Sequence, residues 1–150
     1  MKNSNTGRNK ESLFVVVEDN SNDALFLLKA FEKVNNEDEF ILLKNGEDAF
    51  KFLIEDIDAS KAENIKVIFL DISLPKINGF ELLRKLKKND ITKNIPVVIL
   101  TSSGHSNDIN MGIALGANSY VIKPIKFNKY NEKVQKICDY WCNLNIYSPK

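Results

Sequence analysis

The chain is 150 residues long, 43% hydrophobic and 27% charged, with a formal net charge of +1. That supports one domain with a real core and excludes a global field aimed at nucleic acid or a membrane surface. No apolar run approaches the roughly 20 residues of a membrane helix, and the polar first ten residues lack the apolar stretch of a secretory signal. A cytoplasmic protein is expected.

The N-terminal residues 1–12 read as a flexible arm. Leu13-Phe14-Val15-Val16-Val17 then reads as a buried strand, and Asn20 to Asp23 offer caps for a first helix with apolar positions Ala24, Leu27, Leu28, Phe31 and Val34. Phe40 to Leu43 is a second strand, and Asn45-Gly46 a turn. Ala49, Phe50, Leu53 and Ile54 mark a second helix. Residues 55–66 are charged and without a clear period, so they read as a helix extension or a surface loop. Val67 to Leu70 is a third strand, residues 79–88 a third helix, Pro96 to Leu100 a fourth strand and residues 107–115 a fourth helix closed by Gly116. Ser119 to Ile122 is a fifth strand, and a last helix runs from about Phe127 to Leu144. Strands that are near-continuous apolar runs, each followed by a helix, predict a doubly wound α/β domain with a parallel sheet covered on both faces.

Polar residues gather at the carboxyl ends of the strands, where open α/β sheets bind ligands. Glu18 and Asp19 follow the first strand, Asp71 the third, Thr101 the fourth and Lys123 the fifth. Each has a bland reading by itself: a helix cap, a turn former before Pro75, another cap, a solvated lysine. Together they predict one site. Three converging carboxylates repel, and a hard divalent cation, Mg²⁺ or alternatively Mn²⁺, resolves that with oxygen ligands. A carboxylate is also a nucleophile that can form an acyl phosphate, a transfer that needs charge neutralisation and positioning above all. Lys123 and Thr101 would hold phosphoryl oxygens.

With these residues in view, the chain resembles the receiver domains of two-component response regulators. The matching segments are Val17-Glu18-Asp19-Asn20, Asp71-Ile72-Ser73-Leu74-Pro75-Lys76-Ile77-Asn78-Gly79, Leu100-Thr101-Ser102 and Tyr120-Val121-Ile122-Lys123-Pro124. The resemblance implies a flavodoxin-like five-stranded parallel sheet of order 2-1-3-4-5 with five helices, a receiver domain over residues 13–144 and a tail over 145–150. It implies that Asp71 accepts a phosphoryl group from a sensor histidine kinase. It also implies Mg²⁺ on Asp19, Asp71 and the Ser73 carbonyl, with Glu18 acting partly through water. Thr101 and Lys123 would contact the phosphoryl group, Tyr120 would follow Thr101 as a switch, and the Lys123-Pro124 bond would be cis. Ser73 and Ser103 would flank the site. Such a protein catalyses its own phosphorylation and dephosphorylation and is not a turnover enzyme.

Glu at position 18, the long segment before Val67 and Trp141 in a long final helix resemble the single-domain regulators of phytochrome-type kinases. A phytochrome-like sensor kinase is thus the implied partner. With no output domain after the last helix, the signal would leave by docking to a downstream protein, and neither nucleic acid nor membrane is a partner. Tyr140, Trp141 and Tyr147 would either build a homodimer or complete the core. Cys138 and Cys142, one helical turn apart, read as reduced cysteines before they read as a metal or redox pair. The rival functions are an aspartate-nucleophile phosphatase, which would need a second Asp where Ser73 stands, a receiver-like module that never takes phosphate, and a flavodoxin-like cofactor binder, for which no phosphate-cradling loop follows the first strand.

Overall fold

The computed structural model describes residues 12–34 and 37–147. The predicted arm over 1–12 therefore lies outside the described residues except for Ser12, as does the end of the tail. Five strands, β1 (Leu13–Val17), β2 (Glu39–Leu43), β3 (Ile65–Leu70), β4 (Val97–Thr101) and β5 (Ser119–Ile122), form one parallel sheet in the order β2-β1-β3-β4-β5. The order expected from the family resemblance holds.

Alternation along the strands divides the core in two, because successive side chains leave a strand on opposite faces. Phe14, Val16, Val67, Phe69, Val98 and Leu100 point to one face. There they pack on α1 (Ser21–Val34) and α6 (Phe127–Asp139, continued by a π-helical turn Tyr140–Leu144). Val15, Val17, Ile68, Leu70, Val97 and Ile99 point to the other. That face is covered by α2 (Gly46–Phe50, continued by a π-helical turn Lys51–Glu55), α3 (Ala59–Asn64), α4 (Gly79–Lys88) and α5 (Ser106–Ala114). At about 1.5–3 kcal/mol for each fully buried large apolar side chain, these two layers supply the dominant stabilisation.

Three expectations are corrected. Among the described residues the α-helices number six, not five: Asp58 caps α3 by accepting from the Lys61 amide at 2.8 Å, which turns part of the charged 55–66 segment into a helix that buries only Ala62. A single buried residue gives no periodicity to detect. Asn45-Gly46 is not a turn but a helix start, with the Asn45 side chain accepting from the Asp48 amide at 2.7 Å. Among the described residues no peptide bond is cis, so Lys123-Pro124 is trans, the form most X–Pro bonds take.

Trp141 is buried against the α1–α6 face and Tyr147 packs beside it, its hydroxyl donating to the Trp141 carbonyl at 2.7 Å. These two rings complete the core, whereas Tyr140 is 45% exposed. Neither cysteine forms a disulfide. Burial pushes the Cys138 thiol up to about 12, and the nearby Cys142 adds to that. A thiol so shielded is a poor nucleophile. At neutral pH a maleimide is expected to label Cys142 and to reach Cys138 only as the protein unfolds, which mass spectrometry of labelled peptides across a urea series checks.

Candidate functional site

The strand ends are locked together before any side chain acts. The Asp71 amide donates to the Val17 carbonyl at 3.0 Å, the Glu18 amide to the Leu43 carbonyl at 3.1 Å, and the Lys123 amide to the Thr101 carbonyl at 2.7 Å. Residues one step beyond β1, β3 and β5 are thus held in register at one edge of the sheet. The loop after Asp71 is confined as well. A Cβ on Gly79, the first residue of α4, would lie 2.5 Å from the Ile72 Cα and 3.0 Å from the Asp71 carbonyl oxygen. Only glycine lets α4 approach the site so closely. In the same loop Lys76 adopts φ 70°, a left-handed conformation uncommon for a side chain of its length.

Glu18, Asp71, Thr101 and Lys123 are all buried. The Lys123 ammonium donates to Glu18 Oε1 at 2.7 Å, to Asp23 Oδ2 at 2.8 Å and to Asp71 Oδ2 at 3.0 Å. The Asp71 carboxylate is held at both ends, since the Ser73 amide donates to its Oδ1 at 2.9 Å. The second Glu18 oxygen accepts from the Asn20 amide at 3.1 Å. Thr101 Oγ1 lies 3.5 Å from Ser73 Oγ, at the far limit of a hydrogen bond. The predicted residues Glu18, Asp19, Asp71, Ser73, Thr101 and Lys123 therefore meet at one edge of the sheet.

Ser103, two residues beyond Thr101, donates its hydroxyl to Asp108 in α5, and its carbonyl accepts the Tyr120 hydroxyl at 2.9 Å. One feature differs from expectation: Asp23 is an added member of the cluster. The sequence reading treats it as part of a helix cap, although the Asn20 side chain caps the Asp23 amide instead, at 3.0 Å. Its signal is positional: the first turn of α1 follows Glu18-Asp19 at the same sheet edge.

The acids fit a cation. One oxygen each from Glu18, Asp19 and Asp71 lie within 4.8 Å of one another. At an effective dielectric of about 20, two unit charges at that separation of 4.8 Å repel by roughly 3.5 kcal/mol. These are hard oxygen donors of the kind Mg²⁺ and Mn²⁺ select. Burial pushes Glu18 up to about 7; its bond to Lys123 and that ammonium's charge oppose the rise, while Asp71 adds to it. Burial alone would lower Lys123, but its bonds to Asp23 and Glu18 and the charges of Glu18 and Asp71 outweigh that, so the ammonium is held above the ordinary lysine range.

A family model for the response regulator receiver domain matches residues 14–135. The chain belongs to that family, whose members are signalling phosphoacceptors of two-component systems. It is 30% identical over 133 residues to the response regulator Rcp1 of Synechocystis, covering 89% of this chain and 90% of Rcp1. It is 31% identical over 133 residues to the probable methanogenesis regulatory protein FilR2 of Methanothrix harundinacea, covering 89% of this chain and 85% of that protein. Among solved structures, the phosphorylated cyanobacterial phytochrome response regulator RcpA superposes with a TM-score of 0.82 at 27% identity, over 91% of this chain and 97% of RcpA. The Mn²⁺-bound form of Rcp1 does so with a TM-score of 0.82 at 29% identity, over 92% and 99%.

The raised Glu18 value has a definite sign. Its folded value of about 7 exceeds the ordinary 4.5. Without a cation, its contribution to stability is full below pH 4.5 and is lost as pH rises through 7. Cation binding needs the carboxylate and runs the other way. Mg²⁺ affinity measured by calorimetry is therefore expected to rise between pH 6 and 8, and Glu18→Gln to flatten that rise.

Proposed function

We propose that this chain is a stand-alone response regulator that accepts a phosphoryl group on Asp71 from the phosphohistidine of a sensor kinase. The observation that carries this reading is the Asp71 carboxylate, buried, held at both oxygens and placed between a lysine and a carboxylate cluster that fits a divalent cation. An Asp71 carboxylate oxygen attacks phosphorus in line, the P–N bond breaks, its electron pair returns to the histidine imidazole, and an acyl phosphate forms. Asp19, Asp71 and the Ser73 carbonyl would hold Mg²⁺, with Glu18 partly through water. Mg²⁺ would supply charge neutralisation for the acids and for the transferring group. Lys123 and the Thr101 hydroxyl hold phosphoryl oxygens. Dephosphorylation is the same site working on water, which attacks phosphorus while the acyl phosphate P–O bond breaks and the Asp71 carboxylate returns. The aspartate-nucleophile phosphatase is disfavoured because the residue two beyond Asp71 is Ser73, whose amide orients Asp71 and whose side chain is no acid.

Phosphorylation replaces the single charge of the Asp71 carboxylate with a phosphoryl group of about −1.5 to −2, and drawing Thr101 toward it loosens its 3.5 Å contact with Ser73. Tyr120 is the second half of the switch. Its ring lies against Gly112, where a Cβ would meet Tyr120 Cδ2 at 3.1 Å, and its hydroxyl is tied to Ser103 in the β4–α5 loop. A shift between two such states alters the face of α5, β5 and α6. That face exposes Met111, Ile113, Ile125 and Phe127, apolar side chains suited to a downstream protein or a second copy of the chain. The likeness to RcpA, a phytochrome response regulator, supports a phytochrome-like kinase as donor. Rcp1 and RcpA, over 90% and 97% of whose lengths the matches extend, support the stand-alone reading. We place the protein in the cytoplasm on this reading; no helix among the described residues is long and apolar enough to cross a membrane.

Incubated with Mg²⁺ and a small phosphodonor, the protein is expected to gain the mass of one phosphoryl group, and Asp71→Asn or added chelator to abolish the gain. Equal gains by wild type and Asp71→Asn would overturn the assignment.

A further inference from the structure

An ammonium has three protons to donate, and Lys123 gives all three to carboxylates: Glu18 at 2.7 Å, Asp23 at 2.8 Å and Asp71 at 3.0 Å. The three acceptors are not equivalent. Glu18 and Asp71 belong to the oxygen cluster that can close on a cation, and Asp23 does not. Asp23 is instead fixed to α1, its amide bonded to Asn20 Oδ1 at 3.0 Å and its carbonyl within 3.5 Å of the Tyr130 hydroxyl. A cation that drew Glu18 and Asp71 away would release two ammonium protons and leave the bond to Asp23.

We propose that Asp23 is a positioning residue that holds the Lys123 ammonium from the α1 side, so that the protons released by Glu18 and Asp71 face the phosphoryl group on Asp71. The proposal rests on the phosphoacceptor reading above. The chain anchors this lysine only at its two ends. Its amide is bonded to the Thr101 carbonyl at 2.7 Å, and between that amide and Nζ lies a flexible four-carbon stem. Without Asp23, both remaining carboxylate partners are ones that the cation claims, and no carboxylate is left to hold the ammonium before the phosphoryl group arrives. The bond is charge-assisted and 24% exposed on the Asp23 side, so it is partly sheltered from solvent.

The test uses the full chain with saturating Mg²⁺ and beryllofluoride as the phosphoryl analogue, comparing wild type with Asp23→Ala, Asp23→Asn and Asp23→Glu. In wild type the Lys123 ammonium signal in ¹H–¹⁵N NMR is expected to persist after Mg²⁺ is added; in Asp23→Ala it is expected to vanish into exchange with water. The beryllofluoride Kd is expected to rise about tenfold in Asp23→Ala, the loss of roughly one charge-assisted bond, and to recover most of that in Asp23→Glu. The near-isosteric Asp23→Asn keeps the test open should Asp23→Ala not fold, with weakened binding expected there too. Wild-type affinity and an unchanged lysine signal in the folded variants would overturn the role of Asp23 alone. A wild type that takes up no beryllofluoride would overturn the phosphoacceptor reading, and this proposal with it.

Discussion

One buried ammonium shared by three carboxylates governs this site. Lys123 sits between Glu18, Asp23 and Asp71, and its charge offsets the repulsion among them. Breaking a buried pair by deleting one partner typically costs about 3–5 kcal/mol, and here deletion of the lysine would leave three acids facing one another. The arrangement is therefore a balance of charge that a divalent cation and a phosphoryl group can re-divide. Such a site responds to chemistry because its resting state is already a compromise.

The fold exists, in functional terms, to deliver those groups to one edge. A parallel sheet brings all carboxyl ends of its strands to the same side, and the order β2-β1-β3-β4-β5 sets β1 between β2 and β3. Backbone bonds from Asp71 to Val17 and from Lys123 to Thr101 then fix neighbouring strand ends to within a hydrogen bond. The price of that precision appears in the loop: Gly79 is needed for a 2.5 Å approach that no side chain could make, and Lys76 is held at positive φ. Tyr120 is held more lightly, with a half-buried ring and one hydroxyl bond, to the Ser103 carbonyl.

The sheet was legible because each strand is a near-continuous apolar run, and β1 and β5 match their predicted bounds and α4 its helix bounds. The site was legible because its members end those runs: Glu18, Asp19, Asp71, Thr101 and Lys123 are all adjacent to strand termini. Two things were not. The helix α3 depends on a cap at Asp58 and one buried alanine, too little apolar pattern to separate it from a loop. Asp23 belongs to a helix, and its partner Lys123 lies 100 residues away. A contact across that distance depends on how α1 is seated against the sheet, through Phe14, Leu27 and Phe31 on one side and Tyr130 of α6 on the other. No local spacing encodes it.

If the lysine now divided among three acids is re-used on the phosphoryl group, a crystal structure of the Mg²⁺–beryllofluoride complex will show it. Lys123 Nζ is expected within hydrogen-bond distance of a fluoride and still bonded to Asp23, with Glu18 and Asp71 turned to the cation. A lysine that stays paired with Glu18 and Asp71, or that points into solvent, would contradict it.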